Sequence, residues 1–234
     1  SGAASHYGTH DSITSCPILE KRMTKRIREL TRRCGVLALW YLLRPANALK
    51  QRGWVRSVAC HLPVDKQGRP LPWYTYPAIS FLERCNLGGL KVFEYGTGNS
   101  TLWWVSMGAE VACCDHEEAY WELARHRVGD KVQFVGCYQD MEQYTTACLL
   151  PGVRYDLVVV DGVWRNECLP SALQCLSEHG VLVLDNAERA EYAAGRKMLL
   201  ERGFRELSFV GMGPINHYEW VTSIFYRDGN CLGI

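Results

Sequence analysis

Leu90-Lys91-Val92-Phe93-Glu94-Tyr95-Gly96-Thr97-Gly98-Asn99-Ser100-Thr101 is the stretch that decides how this 234-residue chain is read. Up to Tyr95 it is a β-prone apolar run interrupted by one acid, Glu94. Two glycines then break the run, and Leu102-Trp103-Trp104 continues with helical composition. A strand that turns through Gly-x-Gly into a helix lets a ligand approach backbone N–H groups at the helix start. A nucleotide-like cofactor therefore fits Gly96, Thr97, Gly98, Asn99 and Ser100. A dinucleotide fingerprint would place Gly or Ala at position 101 for close helix-to-strand packing, and the β-branched Thr101 argues against it.

Downstream the pattern is regular. Apolar runs at Glu110 to Cys114, Lys131 to Val135, Tyr155 to Val160 and Gly180 to Leu184 are each followed by a segment of helical composition, which predicts βαβ units and a parallel sheet covered on both faces. The end departs from this rhythm. Arg205 to Gly211 and Glu219 to Arg227 both read as strands, and the seven residues between them are too few for a crossover helix, so the pair must be antiparallel. Acids stand where strands end: Asp115 after the second, Asp161 after the fourth, and Asp185 with Asn186 after the fifth. An open α/β sheet places its site along that edge. Asp115 also reads as a helix cap before Glu117 and Glu118.

Upstream, Pro17 can open a helix in which Met23, Ile27, Leu30, Cys34, Leu37 and Tyr41 recur at steps of three and four, closed by Pro45. A second short helix fits Ala46 to Ala59. Pro63, Gly68, Pro70 and Pro72 mark an irregular connection, and Pro77 starts a further helix. The boundary is drawn at 76/77: a helical or lid segment over 1–76 and the sheet domain over 77–234. Trp73, Tyr74 and Tyr76 lie just before it, to cover a ligand or to clamp the two parts together.

The whole chain is 47% apolar and 22% charged, with a formal net charge of +1, which excludes a disordered tail and a small stapled toxin. That near-zero charge conceals an asymmetry. Glu20 to Arg56 holds 11 Lys and Arg against two Glu, a local +9, so the remainder carries −8. The longest uncharged, mostly apolar run, Cys34 to Leu43, is half of the ~20 residues a spanning helix needs. Eleven cysteines, odd in number, scattered and without Cys-x-x-Cys spacing, read as free thiols, most of them buried, in a reducing cytoplasm.

Glu94-x-Gly96-x-Gly98, Asp115, Asp161 and the closing hairpin, in this order, resemble the class I S-adenosylmethionine-dependent methyltransferases over roughly Tyr76 to Arg227. The resemblance implies a Rossmann-like α/β fold: a seven-stranded sheet, parallel with an antiparallel C-terminal hairpin. It implies S-adenosylmethionine as cofactor, with the glycine turn against its methionine part, Asp115 and His116 at the ribose, and residues after the third strand, Cys137 among them, flanking the adenine. Asp161 has two roles in that frame, contact with the cofactor's ammonium or catalysis.

Asp161, Asp185 and Asn186 are also similar to the metal set of the catechol-type O-methyltransferases, which implies Mg²⁺. The pattern departs from that family at position 164, where Trp replaces the basic Lys and Arg165 follows. Arg is a poor base. His217, in the loop between the last two strands, is a candidate general base.

The function expected is methyl transfer to an oxygen of a small molecule or glycan. The alternatives are an N-methyltransferase, although no Asn/Asp-Pro-Pro-Tyr motif follows the fourth strand, and a cofactor-binding scaffold without turnover. The basic head reads as a lid or homodimer helix, as a peripheral contact with an anionic membrane, or as a grip on an anionic acceptor. The acidic body and the lack of a basic run interleaved with aromatics argue against nucleic acid.

Overall fold

The computed structural model describes residues 35–234. The chain divides into two compact units, Ser1–Asn47 and Ala48–Ile234. Within the first, the described part holds one helix, α1 (Val36–Leu43); the stripe from Met23 to Cys34 lies outside the described residues. Leu37 and Tyr41, the last two residues of that stripe, lie in α1 and are not buried.

The boundary expected at 76/77 falls at 47/48 instead, because 48–76 is bonded into the sheet domain. Thr75 N donates to Thr222 Oγ1 at 3.0 Å and Thr75 Oγ1 donates to the Phe209 carbonyl at 3.1 Å. Tyr76 N donates to the Met212 carbonyl at 2.7 Å. Trp54 Nε1 donates to the Asn216 carbonyl at 2.8 Å. Two short helices, α2 (Ala48–Arg52) and α3 (Trp54–Cys60), open this unit. Helix α4 (Tyr76–Leu82) follows, with Thr75 as its N-cap accepting from Ala78 N and a proline in its first turn.

The remaining elements alternate as the sequence predicts. They are β1 (Lys91–Tyr95), α5 (Asn99–Ser106), β2 (Glu110–Asp115), α6 (Glu118–Val128), β3 (Val132–Cys137), α7 (Met141–Thr146), β4 (Tyr155–Val160), α8 (Arg165–Cys175), β5 (Leu176–Asp185), α9 (Ala193–Glu201), β6 (Arg205–Gly211) and β7 (Trp220–Tyr226). The seven strands form one sheet in the order β3-β2-β1-β4-β5-β7-β6, in which β7 is antiparallel to both of its neighbours and the other pairs are parallel.

Alternate residues of the central strands feed two cores, as the period of two requires. Phe93, Tyr95, Val158 and Val160 pack with Tyr144 of α7 and Leu169 of α8. Val92, Leu157 and Val159 pack on the other face with Ile79 of α4 and Trp104 of α5. Both faces of β4 are therefore buried, which is why its sequence shows a continuous Val-rich run rather than an alternation. Because β1 to β5 run in one direction, Tyr95, Asp115, Asp161 and Asp185 arrive at one edge. The order reverses between β1 and β4, so the crevice of an open α/β sheet opens above those two strands.

No disulfide joins the described cysteines; five of them, Cys113, Cys114, Cys148, Cys168 and Cys175, are buried thiols. No described helix is long and apolar enough to cross a membrane.

Candidate active site

The turn after β1 depends on Gly96, whose φ of 101° suits glycine, and it lies against the Asp161–Gly162 backbone leaving β4. Gly162 is constrained in turn, since a Cβ there would collide with the Tyr144 hydroxyl. The two strand exits thus pack against each other and open a cavity of about 590 Å³ along the sheet edge.

One half of that cavity is lined by Gly96 to Ser100, Asp115 and His116, with Tyr120, Leu123 and Arg127 of α6. Asp115 is buried, and its carboxylate is heavily engaged: Oδ2 accepts from Thr97 N at 2.6 Å and Thr97 Oγ1 at 2.5 Å, while Oδ1 accepts from His116 N at 2.7 Å and Glu117 N at 3.0 Å. The cap residue of α6 is Glu117, so Asp115 anchors the glycine turn rather than capping that helix. Behind the turn Glu94 is fully buried: Oε2 accepts from Thr101 Oγ1, and Oε1 has no hydrogen-bonding partner. Burial pushes the Glu94 carboxyl up to about 8, against the opposing pull of the Thr101 and Ser100 hydroxyls. Asn99 connects this half to its cover, donating from Nδ2 to the Pro63 carbonyl at 2.6 Å and accepting from Arg127 at 2.7 Å.

The other half is lined by Asp161, Arg165, Asp185, Asn186 and Arg189, with Trp73, Tyr218 and Trp220 as aromatic walls. The Arg165 guanidinium lies across the strand ends. It pairs with Asp161 Oδ1 at 3.1 Å and donates to the carbonyls of Gly162 at 3.0 Å, Asp161 at 3.1 Å, and Asp185. Asp185 Oδ1 accepts from Trp220 Nε1 at 3.0 Å and Thr222 Oγ1 at 2.5 Å. Burial, reinforced by the charge on Asp161, pushes the Asp185 carboxyl well above its usual range, with Thr222, Arg165 and Trp220 pulling the other way. Burial also raises Asp161, to about 6, with Arg165 and then Arg189 pulling the other way.

The Mg²⁺ set is corrected by this arrangement. Asp161, Asp185 and Asn186 do not fit a divalent cation: a guanidinium already supplies the positive charge at the strand ends, and Asp185 spends an oxygen on β7 donors. Among the described residues no group of three His, Cys, Asp or Glu side chains is placed to hold a metal.

Of the other expected site residues, Cys137 pairs with Asp115 across β3 and β2 and does not reach the cavity. His217 is exposed and also outside the lining, its ring edge-on to Tyr218 with centroids 5.6 Å apart. Around that loop Asn216, Tyr218 and Trp220 reach the cavity, while the residue between the first two is turned outward. Of the three aromatics before α4, Trp73 lines the cavity, while Tyr74 and Tyr76 are core.

Sequence reasoning missed His61, Pro63, Arg127 and Arg189. Arg189 follows Asp185 by one helical turn's spacing and was findable; the others come from elements with no motif. All four described non-glycine residues with positive φ border this site: His61 and Asn186 line it, Trp164 precedes Arg165, and Ile215 precedes Asn216. Backbone strain of this kind concentrates at functional sites.

No family model and no curated protein matches the chain. Among solved structures it is similar to the O-methyltransferase TomG from Streptomyces achromogenes, in complex with S-adenosylmethionine, with 16% identity, a TM-score of 0.51, and 88% of this chain and all of that one covered. It also matches a precorrin-6y C5,15-methyltransferase from Geobacter metallireducens, with 14% identity, a TM-score of 0.49, and 64% and 86% covered. A methyltransferase from Pyrococcus furiosus matches with 15% identity, a TM-score of 0.48, and 75% and 93% covered. The chain has the Rossmann-like seven-stranded fold of the class I S-adenosylmethionine-dependent methyltransferases.

Proposed function

We propose that the protein transfers the methyl group of S-adenosylmethionine to an oxygen of a small molecule or glycan. One observation carries the reading: a single cavity joins the glycine turn and Asp115, at the β1/β4 switch point, to a second set of polar groups on β4 and β5. The residues present fit the cofactor. Gly96 to Ser100 line the cavity with Asp115 and His116 beside them for the ribose, and behind the turn the buried Glu94 has one oxygen without a partner among the described residues. When bound, S-adenosylmethionine supplies a methyl group already activated on a sulfonium.

The chain's own work is alignment, exclusion of water and removal of a proton. Pro63 and Trp73 cover the cavity, the former tied to the turn through Asn99. Asp161 is the group placed to accept a hydroxyl proton. Its carboxyl at about 6 leaves it ionised at neutral pH, and Arg165 holds it in place. Arg165 remains charged throughout.

The test is release of S-adenosylhomocysteine across a panel of hydroxylated small molecules and glycans, with Asp161→Asn as control. Transfer should rise with pH through about 6 in the wild type and fall at least ~100-fold in the variant, as loss of a general base requires. Equal transfer by wild type and variant would reassign the reaction to an acceptor that needs no base, such as an amine. Cofactor binding with no transfer to any acceptor would make the protein a scaffold.

A further inference from the structure

Helix α1 reads Val-Leu-Ala-Leu-Trp-Tyr-Leu-Leu over Val36–Leu43, and none of its eight residues is buried. Leu39, Trp40 and Leu42 keep 57%, 41% and 52% of their surface. Large apolar side chains clustered on two helical turns form a patch that soluble surfaces rarely keep unless something covers it.

The charge of the flanking sequence says what does. Between positions 21 and 33 the sequence carries seven Lys and Arg against one Glu, and the wider stretch from Glu20 to Arg56 sums to +9. Arg44, just past the helix, stacks its guanidinium over the Trp40 ring at 3.8 Å and lies 5.8 Å from that of Tyr41. Aromatic rings, aliphatic side chains and cations in one short segment are the composition of a water–lipid interface. A second copy of this chain would bring +9 against +9, which disfavours pairing through the same segment. At ~1.5 Å per residue α1 is about 12 Å long, against a hydrocarbon layer of ~30 Å, a length suited to lying on a bilayer and too short to cross one.

We propose that α1, together with the basic sequence before it, docks the protein on an anionic lipid surface, with Leu39, Trp40 and Leu42 entering the acyl boundary and the Lys and Arg side chains meeting the headgroups. This is independent of methyl transfer: it stands or falls without reference to the cavity.

The experiment is co-sedimentation of the full chain with vesicles of phosphatidylcholine alone or with about a third phosphatidylglycerol, in low and high salt, beside the Leu39→Glu/Leu42→Glu double variant. Retention should be at least ~10-fold greater on the anionic vesicles and should fall in high salt, since screening shortens the reach of surface charge. The double variant should lose at least ~10-fold in retention with an unchanged melting temperature, because the replaced side chains are exposed. Fluorescence of the wild type, but not of Trp40→Phe, should lose a component to brominated acyl chains. Equal retention on neutral and anionic vesicles, or none on either, would overturn the proposal. So would a concentration-dependent dimer, seen by sedimentation velocity, that the double variant abolishes.

Discussion

The two halves of the cavity are built from the same device, a carboxylate at the C-terminal end of a parallel strand, and they put it to opposite uses. Asp115, at the end of β2, is satisfied by donors from its own vicinity: the glycine turn beside it and the two backbone N–H groups that follow. At the ends of β4 and β5, the Arg165 guanidinium pairs with the Asp161 carboxylate and donates to the Asp185 backbone carbonyl, and the Asp185 carboxyl accepts from Trp220 and Thr222 of β7. Position in the strand therefore does not decide the chemistry of such an acid; what the fold brings opposite it does. At Asp115 the result is a fixed turn. At Asp161 and Asp185 one buried arginine and two β7 side chains tie neighbouring strand ends together.

The largest effect should come from removing that arginine. Arg165→Met strips the donor from the Asp161 carboxylate and from three carbonyls, and breaking one partner of a buried pair costs about 3–5 kcal/mol. Urea denaturation should show a loss of that order, and a loss under 1 kcal/mol would mean the strand ends are more solvated than described.

Glu94→Gln should act next, through pH. With its folded carboxyl at about 8 and an unfolded value of 4.5, the buried acid keeps its proton where the unfolded chain has lost it. Its relative contribution to stability is therefore full below about 4.5 and lost as pH rises towards about 8. The glutamine variant lacks this slope, while its amide oxygen can still accept from Thr101. It should gain on the wild type by a few kcal/mol between pH 5 and pH 8, at about 1.36 kcal/mol per unit of displacement. Parallel stability curves for the two proteins would contradict a buried Glu94 that keeps its proton.

Asp115→Asn replaces one acceptor oxygen with a donor facing N–H groups and should cost about 1–3 kcal/mol. The smallest expected effect is none: Mg²⁺ or EDTA should leave the melting temperature unchanged, because Arg165 takes the cation's place. A clear stabilisation by Mg²⁺ would reopen the metal reading.

This contrast also explains how much was legible in the sequence. The β1 turn, the strand rhythm and the closing hairpin are local patterns, and the structure shows each of them. Asp115 was legible for the same reason: its donors are Thr97, 18 residues away but set by the βα unit, and its own two successors. The role of Arg165 was not, because it depends on β5 lying beside both β4 and β7, with partners such as Asp185 and, for Asp185, Trp220 and Thr222, 35 and 37 residues further on. Sequence spacing marked Trp164 as a departure from a metal-assisted site. The structure shows Trp164 in the left-handed region, as the cap residue of α8, and the next residue supplying the positive charge. The cover was illegible too, since Pro63 reaches the glycine turn only through Asn99, 36 residues later. In the head, the helical stripe left its partner open, and α1 buries none of its residues, because periodicity reports which side chains share a face and not what covers it.

The most direct test of the two-half account is a calorimetric titration of S-adenosylhomocysteine into the wild type, Asp115→Asn and Asp161→Asn. The account predicts one site of micromolar affinity, weakened at least ~10-fold, or about 1.4 kcal/mol, by Asp115→Asn and within about twofold of wild type in Asp161→Asn. No binding to the wild type, or a loss that tracks Asp161 and spares Asp115, would contradict it.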